Sequence, residues 1–215
     1  EFSNRMHGIA GLLELGRPED ALEYVNEIRG TAGDLDQTLR TRIAAPQIVG
    51  LMLGKAAEAN ERGIQLTVDP QTSVSASPEL LRCLCGDFVA VVGAREILAQ
   101  ILGNLIDNAF DAVAETPAPR RVQVGIVETE DELRMTVSDN GPGMPPALLP
   151  QMFRNGFTTK RGSLVQHSGL GLSLVQRTVA GIGGSITVSE EAPGTTFLIA
   201  LPRSTSASEP RTVTT

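Results

Sequence analysis

The spacing of apolar residues at the start of the chain predicts two helices joined by a short turn. Phe2, Met6, Ile9 and Leu13 recur at intervals of three or four residues, as they do along one face of a helix. A second apolar series over 18–40 alternates between intervals of three and four, which is typical of a heptad seam. A hairpin of two such helices cannot cover both stripes, so the pattern favours dimerisation into a four-helix bundle. The alternative is a hairpin that packs against its own chain.

Helical and strand-like patterns alternate along the rest of the chain. Periodicity of three to four residues predicts helices over 46–63, 94–115 and 170–182. Alternation of apolar and polar positions predicts strands over 64–68, 122–127, 133–137, 185–189 and 195–201. We expect the last two strands to form a hairpin. Residues 69–93 carry no clear pattern, although 84–92 allow a short strand.

The order of these elements predicts an α+β protein with two domains. The helical hairpin, which forms half of a dimeric four-helix bundle, is assigned to residues 1–42. A two-layer α/β sandwich follows over 43–203. The tail over 204–215 is rich in Ser and Thr, and we expect it to be disordered because it has too few apolar residues to join a core.

Charge and composition argue against two classes of partner. The net charge is −7 and the pI is about 4.9. Nucleic-acid-binding proteins usually present a basic surface, and electrostatic membrane anchors need basic clusters, so we expect neither. No apolar stretch approaches the roughly 18–20 residues that a membrane-spanning helix needs. The sequence begins without Met, so we expect it to be a fragment of a longer protein, with any membrane spans upstream.

Two asparagines on one predicted helix are candidate metal ligands. Asn104 and Asn108 are four residues apart and therefore share a helix face, which is otherwise apolar and is expected to point inward. Buried carboxamides need polar partners, and their hard, neutral oxygens suit Mg²⁺. The alternative is an asparagine pair that only forms hydrogen bonds within the core.

Three motifs that contain glycine follow along the chain. Asp139, Gly141 and Gly143 come directly after a predicted strand, where a carboxylate is able to accept a hydrogen bond from an exocyclic amine and glycines permit a ligand to approach the backbone. Ser168-Gly169-Leu170-Gly171 opens a predicted helix, whose free N–H groups favour phosphate. Gly194-Thr195 begins the last strand. Each motif alone is equally typical of an ordinary turn.

The order of these four motifs resembles the Bergerat nucleotide-binding fold that histidine kinases share with Hsp90, gyrase B and MutL. The resemblance covers about residues 46–202. It implies a two-layer α/β sandwich that binds ATP with Mg²⁺. In this fold Asp139 would bind the adenine amino group, and Asn108, with Asn104 beside it, would hold the metal.

The same resemblance makes the segment between Met144 and Ser168 a mobile lid over the phosphates. It places Lys160 at the γ-phosphate, and the alternative for Lys160 is a solvated lysine of the lid. The residues that the resemblance assigns to the binding of Mg-ATP are Asn104, Asn108, Asp139, Gly141, Gly143, Lys160, Ser168, Gly169, Leu170, Gly171 and Thr195.

Residue 100 separates two kinds of enzyme within this fold. Hsp90, gyrase and MutL hydrolyse ATP with a glutamate that lies four residues before the first asparagine of the helix. That position is Gln100 here, and a carboxamide cannot take a proton from water. The resemblance therefore favours transfer of the phosphoryl group to an acceptor other than water.

The first residues resemble the phosphoacceptor region of citrate and C4-dicarboxylate sensor histidine kinases, in which the motif reads His-Glu-Phe-x-Asn-Lys/Arg-x-His. Glu1, Phe2, Asn4, Arg5 and His7 match that motif from its second position onward. The phosphorylated histidine of the family would lie immediately before Glu1, and His7 corresponds to the second histidine. Glu1 would hold the ring N–H of the acceptor, and Asn4 would orient a water for the reverse reaction. The alternative is that both are solvated residues at a helix end.

Together these resemblances imply an ATP-dependent protein-histidine kinase that relays its phosphoryl group to an aspartate of a response regulator. They also imply a homodimer formed through the hairpin, in a protein that is anchored upstream and faces the cytoplasmic side of the bacterial inner membrane. Two other functions remain open on the sequence alone. One is an ATPase clamp of the gyrase or MutL kind, and the other is a docking module with a vestigial ATP site.

Overall fold

Five strands form one mixed sheet in the computed structural model, which describes residues 10–21, 33–75, 91–145, 147–154, 171–189 and 194–203. The strands are β1 (Ile64–Val68), β2 (Arg120–Glu128), β3 (Glu132–Asp139), β4 (Ser185–Ser189) and β5 (Thr195–Pro202). They are ordered β1-β2-β3-β5-β4 across the sheet. The β1–β2 pair is parallel, and the pairs β2–β3, β3–β5 and β4–β5 are antiparallel.

Helices pack against this sheet. They are α1 (Gly33–Arg42), α2 (Pro46–Glu61), α3 (Val91–Val113) and α4 (Gly171–Gly181), with a short 3-10 helix over Leu149–Gln151. The α3 helix lies at the centre, where it contacts β2, β3, α2 and α4. The α2 helix lies against β1, and α4 lies against β4. No helix within the described ranges has both the length and the apolar character to cross a membrane.

The alternation of side chains along the strands explains why the helices cover one face. In β3 the residues Leu133, Met135 and Val137 are buried, whereas Arg134 between them is exposed. The strand pairs continue this buried row into β2 and β5, because residues that are paired across a sheet point to the same side. The result is a two-layer α/β sandwich, which confirms the predicted fold of this part of the chain.

The end of α1 is joined tightly to the sheet domain. Leu39 is fully buried in the same core as the sheet residues. Just beyond the helix, Ile43 forms a parallel bridge with Val74. The Ala44 N–H donates to the Val74 carbonyl at 2.9 Å, and the Val74 N–H donates to the Arg42 carbonyl at 2.8 Å. Part of the segment assigned to the hairpin therefore contributes to the core of the α/β sandwich.

The predicted helical hairpin lies partly outside the described residues. Residues 10–14 and 18–21 are helical, and between them Gly16 has a φ of 68°. The turn therefore lies where the sequence indicates it, before Pro18. Leu13, which belongs to the predicted apolar stripe, is 55% exposed in the single chain. Dimerisation into a four-helix bundle stays a prediction.

Two predicted segments need correction. The possible strand over 84–92 is wrong at its end, because Val91 and Val92 already lie in the first turn of α3; residues 84–90 lie outside the described ones. This helix also ends at Val113 rather than at residue 115. Val91 and Val92 favour strands by propensity, but the apolar stripe that follows them continues as a helix and decides their conformation.

Candidate functional site

Two of the four motifs meet where β3 ends and β5 begins. Asp139 is paired with Thr195 across these strands. Gly194 has a φ of 136°, and a methyl group at this position would lie 1.9 Å from the carbonyl oxygen of Asp139. Only a residue without a side chain fits against the backbone here. The glycine of the last motif is thus required for the strand that carries Asp139.

The Asp139 carboxyl group lies at the end of the buried row of the sheet. It is 9% exposed. The backbone N–H of Gly141 donates to its Oδ1 at 2.8 Å, and the backbone N–H of Thr195 is a second donor. Burial raises the pKa of Asp139 above its usual value, although these two hydrogen bonds act in the opposite direction. The group is a fixed, poorly solvated acceptor at the edge of an apolar interior.

Asn140 holds the turn after Asp139, and the sequence analysis did not single it out. Its Oδ1 accepts a hydrogen bond from the Arg121 N–H at 2.7 Å, and its Nδ2 donates to the Pro119 carbonyl at 2.7 Å. Its backbone N–H donates to the Arg121 carbonyl at 3.1 Å. The signal in the sequence was an Asn directly after a strand, a residue that often bonds to a neighbouring backbone.

Gly141 connects this turn to the central helix. A methyl group at Gly141 would lie 2.8 Å from Oδ1 of Asp139 and 3.0 Å from the carbonyl oxygen of Ala112 in α3. Gly143 has a φ of 72°, and a methyl group there would lie 3.4 Å from the Gly194 carbonyl oxygen. The turn therefore lies between α3 and the start of β5.

Asn104 and Asn108 are half-exposed, so the prediction of an inward, buried face is wrong. Each carboxamide donates its N–H to the backbone carbonyl four residues earlier, at 2.9 Å to Gln100 and at 2.7 Å to Asn104. Among the described residues, neither side-chain oxygen accepts a hydrogen bond. The core of α3 lies on the neighbouring face, where Leu102, Leu105 and Ile106 are buried, and the asparagine stripe borders that face.

The start of α4 approaches the two asparagines closely. A methyl group at Gly171 would lie 3.1 Å from Oδ1 of Asn104 and 3.9 Å from Nδ2 of Asn108. The backbone of a helix N-terminus, which favours anions, is thus placed beside the side-chain oxygens of Asn104 and Asn108, which accept no hydrogen bond within the described residues. These two groups fit a ligand that combines phosphates with Mg²⁺, because Mg²⁺ takes few protein oxygens together with phosphate oxygens.

Several predicted site residues cannot be placed. Lys160, Ser168, Gly169 and Leu170 lie outside the described residues, and so do Glu1, Asn4 and His7. Only the beginning of the predicted lid, residues 145 and 147–154, is described. In that part Met152 is 2% exposed, and Phe153 packs against the core. The beginning of this segment is therefore anchored on the sandwich.

Comparison with known proteins identifies the family. Residues 93–205 match the family model described as histidine kinase-, DNA gyrase B- and HSP90-like ATPase. The chain belongs to this family. The match covers α3 from residue 93 onward and all of β2 to β5 and α4, and thus the residues of all four motifs. The predicted resemblance to the ATP-binding domain of histidine kinases is confirmed.

Curated proteins that are similar to this chain are named as sensor proteins or sensor kinases. The sensor protein CitS of Halalkalibacterium halodurans is 33% identical over 205 residues, which cover 94% of this chain and 35% of the relative. A probable C4-dicarboxylate sensor kinase of the same organism is 34% identical, with 94% and 36% covered. Sensor histidine kinase DcuS of Escherichia coli K12 is 31% identical, with 94% and 34% covered. The chain spans about a third of the length of these relatives.

Solved structures support the fold. The catalytic domain of histidine kinase ThkA has a TM-score of 0.54 at 22% identity, and the alignment covers 74% of this chain and 92% of that one. Full-length ShkA in complex with AMPPNP also has a TM-score of 0.54, at 24% identity, with 74% and 29% covered. At these identities the likeness establishes the shared fold of the family.

Proposed function

We propose that this chain is the ATP-binding catalytic part of a sensor histidine kinase. It binds Mg-ATP and transfers the γ-phosphoryl group to a histidine that lies immediately before residue 1. An aspartate of a response regulator then receives the group. The observation that carries the proposal is that motifs separated along the sequence come together in pairs. Gly171 lies beside Asn104 and Asn108, and Gly194 lies against the backbone of Asp139.

The adenine half of the proposed site is formed by Asp139, Gly141, Gly143 and Thr195. The Asp139 carboxylate accepts a hydrogen bond from the adenine amino group, because it is the buried acceptor at the end of the inward row. The N–H groups of Gly141 and Thr195 hold that carboxylate in place before any ligand arrives. Such a preformed acceptor discriminates against bases that lack an amino group at this position.

The phosphate half is formed by side chains of α3 and by the N-terminus of α4. Asn108, with Asn104 beside it, would hold Mg²⁺, which would neutralise charge on the phosphates. Gly171 and the preceding Ser168, Gly169 and Leu170 would offer backbone N–H groups to the phosphates. We assign Lys160 to the γ-phosphate.

The choice of a kinase over a hydrolase depends on Gln100 and on the relatives. Gln100 is exposed on α3, one helical turn before Asn104, and its carboxamide cannot act as the base that activates water. Relatives that match almost the whole chain are named sensor kinases. Glu1 would orient the acceptor imidazole, and Asn4 would place a water for dephosphorylation.

The same assignment predicts partners that are present in the longer protein. The hairpin would pair two copies of the chain, and the paired helices would receive the response regulator. Upstream segments would anchor the protein on the cytoplasmic side of the inner membrane. A small carboxylate is the signal we expect, by analogy with the C4-dicarboxylate sensor kinase among the relatives.

Calorimetric titration of the chain with a non-hydrolysable ATP analogue and Mg²⁺ tests the proposal. We expect the wild type to bind the analogue saturably. For Asn108→Ala we expect the affinity to fall by at least about tenfold, because the loss of one contact of about 1.4 kcal/mol changes the affinity by that factor. Asn60→Ala is the matched control, because Asn60 is an exposed asparagine at the end of α2. Its affinity should equal that of the wild type.

Two outcomes would contradict the proposal in different ways. A folded wild type that does not bind the analogue would favour a docking module with a vestigial ATP site. Rapid steady turnover of ATP by the chain would favour an ATPase clamp instead. Slow turnover together with tight binding is the result that a kinase without its acceptor predicts.

A further inference from the structure

Five charged side chains form a cluster between α2 and α3. The cluster consists of Lys55, Glu58 and Arg62 on α2 and of Asp107 and Asp111 on α3. The Lys55 Nζ lies 2.7 Å from a Glu58 oxygen and also bonds to the Asp107 carboxylate. Arg62 lies 2.6 Å from Glu58 and 3.5 Å from Asp111. The Lys55–Asp107 pair therefore joins two helices that are distant in sequence.

Lys55 is the most enclosed cation of this cluster. Its side chain is 17% exposed. The Phe110 ring, which is fully buried, lies 6.0 Å from its Nζ. Burial lowers the pKa of Lys55, but the hydrogen bonds and the charges of Asp107 and Glu58 raise it by more, so that the pKa lies above its usual value. Lys55 is thus charged and tied to its two partners at neutral pH.

The Lys55–Asp107 ion pair involves the helix that carries the proposed metal ligands. Asp107 directly precedes Asn108, and Asp111 follows it by three residues. Asp107 and Asn108 are neighbours on one helix, so the bond to Lys55 acts on the same turns of α3 that carry Asn104 and Asn108. The α2 and α3 helices are also close, since a methyl group at Gly103 would lie 3.6 Å from Leu51. Lys55 therefore bonds to α3 where the two helices pack closely.

The direction of the asparagine side chains follows the seating of α3, because within the described residues their hydrogen bonds go to α3 itself. Both are half-exposed, and their hydrogen bonds within the described residues go only to the backbone of their own helix. The rotation of α3 therefore decides where their oxygens point relative to Gly171 at the start of α4. In contrast, Asp139 is held by the paired strands β3 and β5, and α3 meets this half through the backbone of Ala112 beside Gly141, one turn beyond Asn108.

We propose that Lys55 is a positioning residue that sets the rotation of α3 through Asp107 and so aims Asn104 and Asn108 at the phosphate end of the nucleotide. This inference rests on the proposed function. It assigns Lys55 no contact with the nucleotide. Its effect should be confined to the phosphate half of the site and should leave the adenine half unchanged.

The test compares two ligands on a set of variants. Adenosine probes the adenine half alone, and the non-hydrolysable ATP analogue with Mg²⁺ probes both halves. For Lys55→Met we expect the affinity for the Mg-bound analogue to fall on the order of tenfold, the size of one weakened contact of about 1.4 kcal/mol. The affinity for adenosine should stay at the wild-type value. Lys55→Arg, which keeps the charge and reaches Asp107, should recover most of the loss.

Two further variants separate positioning from general damage. The double variant with Lys55→Met and Asp107→Asn removes the tie without leaving an unpaired carboxylate, so it should fold even if the single variant does not. It should still bind the Mg-bound analogue more weakly than the wild type. Arg134→Met is the matched control, because Arg134 is an exposed cation on the opposite face of the sheet. It should bind both ligands as the wild type does.

The outcomes distinguish this inference from the proposed function. If the folded wild type binds neither ligand, the nucleotide site and this inference both fail. If the wild type binds both, but Lys55→Met weakens the two ligands equally, the role of Lys55 is structural and the inference alone is overturned. Wild-type affinity of the double variant for the Mg-bound analogue would overturn it as well.

Discussion

The two halves of the candidate site are built in different ways. In the adenine half, backbone holds the one important side chain. Paired strands fix Asp139, and the N–H groups of Gly141 and Thr195 hold its carboxyl group. The phosphate half depends on side chains of one helix and on the approach of another. The hydrogen bonds of the sheet thus determine the first half, whereas helix rotation determines the second. Substitutions should therefore act on one half at a time.

The largest effect should come from Gly194→Ala. A methyl group there would lie 1.9 Å from the Asp139 carbonyl oxygen, and the φ of 136° is unfavourable for any side chain. Because the clash is with backbone, we expect a loss of about 3 kcal/mol or more in the free energy of unfolding. Binding of adenosine should be lost with it. Denaturant unfolding and an adenosine titration measure the two effects.

Gly50→Ala is the matched control for that substitution. Gly50 lies inside α2, and a methyl group there would meet nothing within 4 Å. Because alanine favours a helix over glycine, we expect this variant to be more stable by about 0.5–1 kcal/mol. A Gly194→Ala protein as stable as the wild type would show that β5 is able to move away from Asp139.

The pH should act on the adenine half through Asp139. Burial raises the pKa of this carboxyl, and its ionised form accepts the hydrogen bond from the adenine amino group more strongly than the neutral acid does. Adenosine affinity should therefore fall, by up to about tenfold per pH unit, once the pH drops below that raised value. The Gly171→Ala variant should show the same profile, because its change lies in the phosphate half. An affinity that stays constant as the pH falls to the usual pKa of Asp would contradict the role of Asp139.

Stability should change with pH in the opposite direction. A carboxyl group with a raised pKa binds its proton more tightly in the folded chain than in the unfolded one. Its contribution to the free energy of unfolding is therefore fully present below the usual pKa of Asp and is lost as the pH rises through the raised value. Comparing denaturant unfolding of the wild type and Asp139→Asn across this range isolates the contribution.

A smaller effect is expected for Asn140→Ala. The substitution leaves the Arg121 N–H and the Pro119 carbonyl without the Asn140 side chain, to which each bonds at 2.7 Å. Because this region is partly open to water, we expect a loss of about 1 kcal/mol in stability. Adenosine should bind more weakly by several-fold. Equal affinity for adenosine in the variant and the wild type would mean that β3 alone fixes the turn.

Much of the sandwich could be predicted from the sequence because its patterns are local. The strand over Ser185–Ser189 and the helix that begins at Pro46 were predicted with the observed bounds or start. Gly63 ends that helix with a φ of 64°, as a glycine after a helix is expected to do. The motif order was sufficient to indicate the family, since it reflects the chemistry of one ligand.

What the sequence could not provide depends on contacts between distant residues. The half-exposure of Asn104 and Asn108 follows from the seating of α3 against α2 and α4, which periodicity alone does not define. The Lys55–Asp107 pair joins residues that are 52 positions apart. Spacing along α2 suggests only the local pair with Glu58. The parts of the site that depend on packing between helices were therefore the parts that were missed.

The smallest effect should come from Gly171→Ala, which tests the phosphate half directly. The added methyl group would lie 3.1 Å from Oδ1 of Asn104, close enough to displace this half-exposed carboxamide slightly. We expect affinity for the Mg-bound analogue to fall by about two- to threefold, which is less than 1 kcal/mol, and adenosine affinity to stay constant. Gly181→Ala, at the other end of α4, is the control, because a methyl group there meets nothing within 4 Å. If both variants bind the Mg-bound analogue like the wild type, α4 approaches the asparagines without constraining them. A loss confined to Gly171→Ala would instead show that the spacing between α3 and α4 sets the affinity for the phosphates.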